Sequence, residues 1–167
     1  MNLVNPLNPA NPDPAVPVYA TLDALGISYD KYTHPPVFNS EDVAEHWAGI
    51  DATKVKNLFL RNKKGDRHYL VILEVSKHAD LRQIVRLVGD DRLSFGSPER
   101  LMATLGLTPG SVSPFGLIHD AKRTVRVVID ADLRGARRLV FTPTSIRRAS
   151  RLAARIWSAF WRHGRTS

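Results

Sequence analysis

Hydrophobic positions along the chain switch between two periods, and the switches mark out its elements. Residues 55–73, VKNLFLRNKKGDRHYLVIL, hold two apolar runs around the polar segment 62–66. Runs rich in Val, Leu, Phe and Tyr about such a segment predict two strands and a hairpin turn. From Val18 the spacing of Tyr19, Leu22, Leu25 and Ile27 predicts a helix, with Gly26 as its stop. SYDKYTH (28–34) alternates like a strand, and HPPVF (34–38) reads as a stiff extended link.

Ser40 with Glu41 and Asp42 behind it predicts a helix start, because the hydroxyl caps the first amides and the dipole favours acids there. That helix would carry Val43, Ala44 and Trp47 and end near Gly49. ADLRQIVRLVG (79–89) reads as a short amphipathic helix and RLSF (92–95) as a short strand. SPERLMATLG (97–106) is a helix with Ser97 as cap and Pro98 at its first position. TPGSVSPFG (108–116) is a loop, and TVRVVID (124–130) a buried strand. Residues 1–17, MNLVNPLNPANPDPAVP, hold repeated prolines that cannot donate to a ladder, and are expected to be a disordered leader. Helices mixed with strands and at least one hairpin predict a single α/β or α+β domain on a mixed sheet.

Composition narrows the chemistry. The 167 residues suit one domain with a full core. No cysteine is present, which excludes a disulfide framework and thiolate chemistry and fits a reducing, cytoplasmic setting. No apolar run approaches the roughly 20 residues that span a bilayer, and no membrane contact is expected. The net charge of +8 is unevenly placed. Residues 1–133 hold 15 Lys and Arg against 16 Asp and Glu, a net of −1. Residues 134–167 hold nine Arg and no acid, so any inference to nucleic-acid binding from charge applies to that tail. The six histidines lack metal-ligand spacing, so neither a metal nor a cofactor is expected.

Two features could carry chemistry. Alternation puts Lys56 on the same strand face as Leu58 and Leu60, and Asn57 on the other. An ammonium on an apolar face either snorkels to water or looks into a pocket, where it would hold an anion or polarise a carbonyl. The second feature is the loop Gly110-Ser111-Val112-Ser113-Pro114. Its glycine lets backbone approach a ligand, and its successive amides could bind an oxyanion; as a bland alternative it is a connector. No nucleophile elbow surrounds Ser111 or Ser113, and no phosphate-binding glycine motif occurs.

KNLFLRNKKGDRHYLVIL, RLSFGSPERLMATLGLTPGSVSPFGLIHD and VRVVIDADL, with HPPVFNSEDVAEHW upstream, closely resemble the YbaK/ProX group of aminoacyl-tRNA deacylases. The likeness spans residues 18–141 and is strongest to the free-standing ProX type. It implies a compact editing domain with a mixed, strongly curved sheet flanked by helices. It also implies catalytic roles for Lys56 and Asn57 and substrate binding by Gly110, Ser111, Val112, Ser113 and Pro114. The implied substrate is tRNA(Pro) mischarged with alanine on its acceptor end. Prolyl-tRNA synthetase or an elongation factor is an implied further partner. A Cys-tRNA(Pro) deacylase is the alternative within the class. Outside it stands a non-catalytic nucleic-acid-binding module that uses the basic tail, with Trp157 and Trp161 stacking on bases.

After Phe141 the chain departs from the family pattern, which continues Phe-His-Pro-Asn where this sequence has Phe141-Thr142-Pro143-Thr144. Residues 142–167 are accordingly expected to be an aberrant Arg-rich tail produced by a shifted reading frame. Two other readings are a disordered basic tail and a basic helix in which Ile146, Ala149, Leu152, Ala153, Ile156, Trp157 and Phe160 follow helical spacing. If the family's last strand is missing, part of the pocket wall goes with it, and weaker folding and editing are expected.

Overall fold

The computed structural model describes residues 16–33, 47, 49–141 and 148–153, the last six together with 16, 17 and 33 as backbone only. Helix α1 (Val16–Ala24) starts two residues before the predicted point, inside the expected leader, and buries Val18, Tyr19 and Leu22. Strand β1 (Tyr29–Thr33) follows. The predicted link at 34–38, the helix begun by Ser40 and most of the leader lie outside the described residues.

The hairpin forms as β2 (Thr53–Asn62) and β3 (His68–Glu74), antiparallel, with Lys56 opposite Leu73 and Asn57 opposite Ile72. Asn62 organises its turn: its side chain takes the Gly65 N–H at 2.9 Å and the Arg67 N–H at 3.2 Å and donates to Asp66 at 2.8 Å. Helix α2 (Leu81–Val88) is capped by Asp80, whose carboxylate accepts from the Arg82 and Gln83 amides. Strand β4 (Leu93–Phe95) leads to α3 (Pro98–Leu105), capped by Ser97. A 3-10 helix (Pro114–His119), β5 (Val125–Ile129), a second 3-10 helix (Ala131–Gly135), β6 (Arg138–Phe141) and β7 (Arg148–Ala153) complete the chain.

These strands form one mixed sheet in the order β1-β7-β6-β2-β3-β5, with β4 farther along the same edge of β2 that β6 pairs with. β3–β5 and β2–β6 are parallel pairs and the others antiparallel. Single-domain α+β architecture on a mixed sheet therefore holds. Its two faces are covered differently. Leu58 and Leu60 join Tyr69 and Val71 under Ile84 and Val88 of α2. Val55 and Phe59 join Leu70 and Ile72 under α1, α3 and the first 3-10 helix.

The helical reading of the tail fails where the structure describes it. Residues 148–153 are a strand, paired on one side with β6 and on the other with β1. Inserting a strand there satisfies backbone donors and acceptors on both neighbours at once, and that outweighs an i, i+3, i+4 spacing with no helical partner to pack on. The sheet thus does not end at Phe141. Residues 142–147 and 154–167, with Thr142, Trp157 and Trp161, lie outside the described residues.

Candidate active site

The two candidate strand residues point to opposite sides of the sheet. Asn57 shares a face with Val55 and Phe59, and its amide Nδ2 donates to the Val112 carbonyl at 3.0 Å. Because that carbonyl only accepts, the contact also assigns the amide's orientation and leaves Oδ1 on its other side. Asn57 Oδ1 is buried and has no hydrogen-bond partner among the described residues. Such an acceptor is costly to bury unless a water or a ligand completes it.

Lys56 lies on the α2 face, and its ammonium donates to the backbone carbonyl of Lys77 just beyond β3. Its head is therefore drawn along the end of the hairpin to a main-chain acceptor. Lys77 is itself anchored: its ammonium lies 2.6 Å from Asp130 Oδ2 and 2.5 Å from Asp132 Oδ2. The hydrogen bond to Asp130, followed by that to Asp132, raises the Lys77 pKa above its ordinary value. Burial, the largest single influence, pushes Asp130 up, but the bonds it accepts from Lys77 and the Asp132 amide, with the Lys77 charge, bring it below the usual carboxylate range.

The loop 110–114 is tightly built. Gly110 has φ +83°, a left-handed conformation that costs any residue with a Cβ. The Ser111 N–H bonds back to the Thr108 carbonyl at 3.0 Å. Ser111 and Ser113 are buried, and the Ser113 hydroxyl caps the 3-10 helix by accepting from the Phe115 N–H. Gly116 lets that helix press onto the end of α3: a Cβ there would stand 2.8 Å from the Leu105 carbonyl oxygen. Pro114 has no N–H and Ser111's is engaged by Thr108, so the loop amides not taken up in that turn are those of Gly110, Val112 and Ser113.

Sheet pairing leaves a gap in the described ladder along one edge of β2, beside these groups. On the edge away from β3, β2 pairs with β6 at Thr53 and Lys54 and with β4 from Leu60 to Asn62. No strand among the described residues pairs with Lys56–Leu58 on that edge. The Phe59 carbonyl accepts from the Gly96 N–H on this side, whereas the Lys54 carbonyl accepts from Val75 on the other. By alternation the Asn57 N–H and C=O also point into the gap. The structure thus brings Asn57 and the 110–114 loop together, and places the Lys56 ammonium at the hairpin end. A separate open cavity of about 220 Å³ lies at the hairpin turn, lined by Asn62, Lys64, Asp66, Arg67, Asp90 and Asp91. It contains none of the residues singled out in the sequence.

Residues 34–155 match the family model of the aminoacyl-tRNA editing domain, most of the chain. The chain belongs to the aminoacyl-tRNA editing family. As an editing domain it is a hydrolase of aminoacyl esters, an aminoacyl-tRNA deacylase. The match runs past Thr142, through β7, to residue 155. This editing domain is 42% identical over 122 residues to the prolyl-tRNA editing protein ProX of Acetoanaerobium sticklandii, covering 71% of this chain and 72% of that one. It is 31% identical over 112 residues to prolyl-tRNA synthetase associated domain-containing protein 1 of Danio rerio, covering 67% and 60%. A crystal structure of a proposed trans-editing enzyme for prolyl tRNA synthetase shares the fold of the editing domain, with TM-score 0.69 at 22% identity over 89% of this chain and 92% of that one.

Sequence reasoning missed β6, both 3-10 helices and the Lys77–Asp130–Asp132 cluster. The acids two residues apart just after β5, an edge strand of which only Val125 is buried rather than the buried strand expected, were the available signal, but the partner of Asp130 lies 53 residues away along the chain.

Proposed function

We propose that this editing domain hydrolyses Ala-tRNA(Pro) in trans, with Lys56, Asn57 and the 110–114 loop as its working parts. The observation that carries the reading is the Asn57–Val112 hydrogen bond, which sets a buried, unfilled acceptor and the loop amides beside a gap in the sheet. The prolyl-tRNA assignment is supported by the ProX relative.

The substrate is an ester between an amino acid and the 3′-terminal ribose. An ammonium has three N–H donors. Lys56 spends one on the Lys77 carbonyl and keeps two for the substrate's phosphate or carbonyl oxygen. Asn57 Oδ1 accepts from the substrate's α-ammonium. Water adds to the ester carbon, and the loop amides of Gly110, Val112 and Ser113 stabilise the oxyanion that forms. The C–O ester bond then breaks, and the proton shed by water ends on the departing ribose oxygen, relayed by the neighbouring ribose hydroxyl. No protein nucleophile is required, in keeping with the lack of an elbow motif. Preference for alanine rests on exclusion of larger side chains, since each methylene gained in an apolar pocket is worth only about 1–3 kcal/mol.

Deacylation of Ala-, Cys- and Pro-tRNA(Pro) by the full chain and by Lys56→Ala tests this reading. The expected result is fast release of alanine, slow release of proline, and loss of activity in Lys56→Ala. Faster release of cysteine than alanine would reassign the substrate. Alanine release unchanged in Lys56→Ala would remove the lysine from the mechanism.

A further inference from the structure

We propose that Lys77 is a positioning residue for Lys56, clamped by Asp130 so that its backbone carbonyl holds the Lys56 ammonium in place. The inference rests on the reading of Lys56 as the cation that binds substrate.

A lysine side chain has four rotatable bonds and reaches many positions; it acts as a fixed charge only when something holds its head. Here the holder is a main-chain carbonyl in a turn, which no side-chain rotamer can withdraw. The turn is fastened at three points. Val75 N–H donates to the Lys54 carbonyl at 2.9 Å, two residues before Lys56 on the same strand. Lys77 N–H donates to the Glu74 carbonyl at 3.1 Å, which closes the turn. Lys77 Nζ reaches across to Asp130, 2.8 Å from Oδ1 and 2.6 Å from Oδ2.

Asp130 is a firm anchor. Its side chain is only 11% exposed, its N–H bonds to the Ile72 carbonyl at 2.9 Å, and its Oδ1 also accepts from the Asp132 N–H at 3.2 Å. It is therefore tied both to β3 and to the second 3-10 helix. Asp132, 74% exposed, contributes less because water screens its charge. The output of this cluster is one carbonyl aimed at one ammonium. Its two acids also offset the positive charge that two neighbouring lysines place at the hairpin end. Freed from Asp130, the turn would let the Lys77 carbonyl swing and the Lys56 head leave its position, and misplacement of about 1 Å can cost on the order of 100-fold in rate.

The test compares wild type, Lys77→Met, Lys77→Arg, Asp130→Asn and Lys56→Ala in single-turnover deacylation of Ala-tRNA(Pro), with thermal melting of each. Lys77→Met is expected to lower the rate about 10- to 100-fold with a near-normal melt. Lys77→Arg, which keeps a cation for Asp130, should recover most of the rate. Lys77→Met combined with Asp130→Asn should be no slower than the slower single variant, because both open the same clamp. A wild-type rate in Lys77→Met beside an inactive Lys56→Ala would overturn the clamp and leave the editing reading standing. A wild-type rate in Lys56→Ala would defeat both. Should Lys77→Met fail to fold, Asp130→Asn, equal in size to the residue it replaces, decides: a normal rate in a folded Asp130→Asn protein overturns the proposal.

Discussion

The side-chain amide of Asn57 donates to the Val112 carbonyl across a sequence separation of 55 residues. One bond thereby fixes the centre of β2 to the loop after α3 and sets the direction in which the second half of that amide faces. Asn57→Asp would place a carboxylate oxygen against a carbonyl oxygen, acceptor against acceptor. A loss of about 1–3 kcal/mol in stability is expected, read by denaturant unfolding. Asn57→Ala should be milder in stability, yet about 100-fold slower in Ala-tRNA(Pro) deacylation, because it also removes the free Oδ1. An Asn57→Ala enzyme with normal turnover would take that oxygen out of the site.

Gly110 sits at φ +83°, where a Cβ costs about 1–2 kcal/mol. Gly110→Ala should lower the melting temperature by about 2–8 °C for a chain of this size. Gly110→Asn should lower it less, since asparagine tolerates the left-handed region. Both should fold, and both should slow deacylation by moving the loop amides. Equal melts for Gly110→Ala and wild type would mean that the loop relaxes freely.

Gly116 is required for a different reason. Its added Cβ would meet the Leu105 carbonyl oxygen at 2.8 Å and Leu107 Cδ1 at 2.7 Å. Backbone cannot yield as a side-chain tip can, so Gly116→Ala should cost about 1–3 kcal/mol through overpacking. Its cost should shrink when Leu107→Ala is made alongside, because one of the two obstacles is then removed. Purely additive losses in the double variant would point to strain elsewhere.

Acid should destabilise the protein in two separate windows. Burial, and then the Arg100 charge, hold His68 below its ordinary value of 6.5. The unfolded chain therefore binds this proton more readily, and stability is full above pH 6.5 and falls below it until the folded His68 also titrates. Asp90 is held below 3.8, first by the Tyr69 hydroxyl, which donates to it at 2.6 Å. Its contribution is present above pH 3.8 and is lost as the pH falls through the lower, folded value. Melting curves from pH 7.5 to 3 should show both declines. His68→Gln should abolish the upper one, and Asp90→Asn should shrink the lower one without abolishing it, because Asp130 and Glu99 are also held below their ordinary values and titrate in the same window.

Local physics made much of this protein legible in its sequence. The hairpin at 53–74, the helix capped by Ser97 with Pro98 behind it, and the helix at 81–88 depend on alternation, capping and amphipathic spacing, all of which act within a few residues. Lys56 and residues 110–114 likewise stand out locally, as an ammonium on an apolar strand and a glycine-led polar loop, whereas a role for Asn57 is implied only by the family resemblance. Tertiary structure decided what those residues meet. Alternation separated Lys56 from Asn57, but only folding carried the Lys77 carbonyl to one and the Val112 carbonyl to the other. It also turned residues 148–153, helical in spacing, into a strand, because β1 and β6 both offered it unpaired backbone. Contacts between residues far apart in the chain leave no periodic trace along it, since each partner is chosen by the packing of elements rather than by its neighbours.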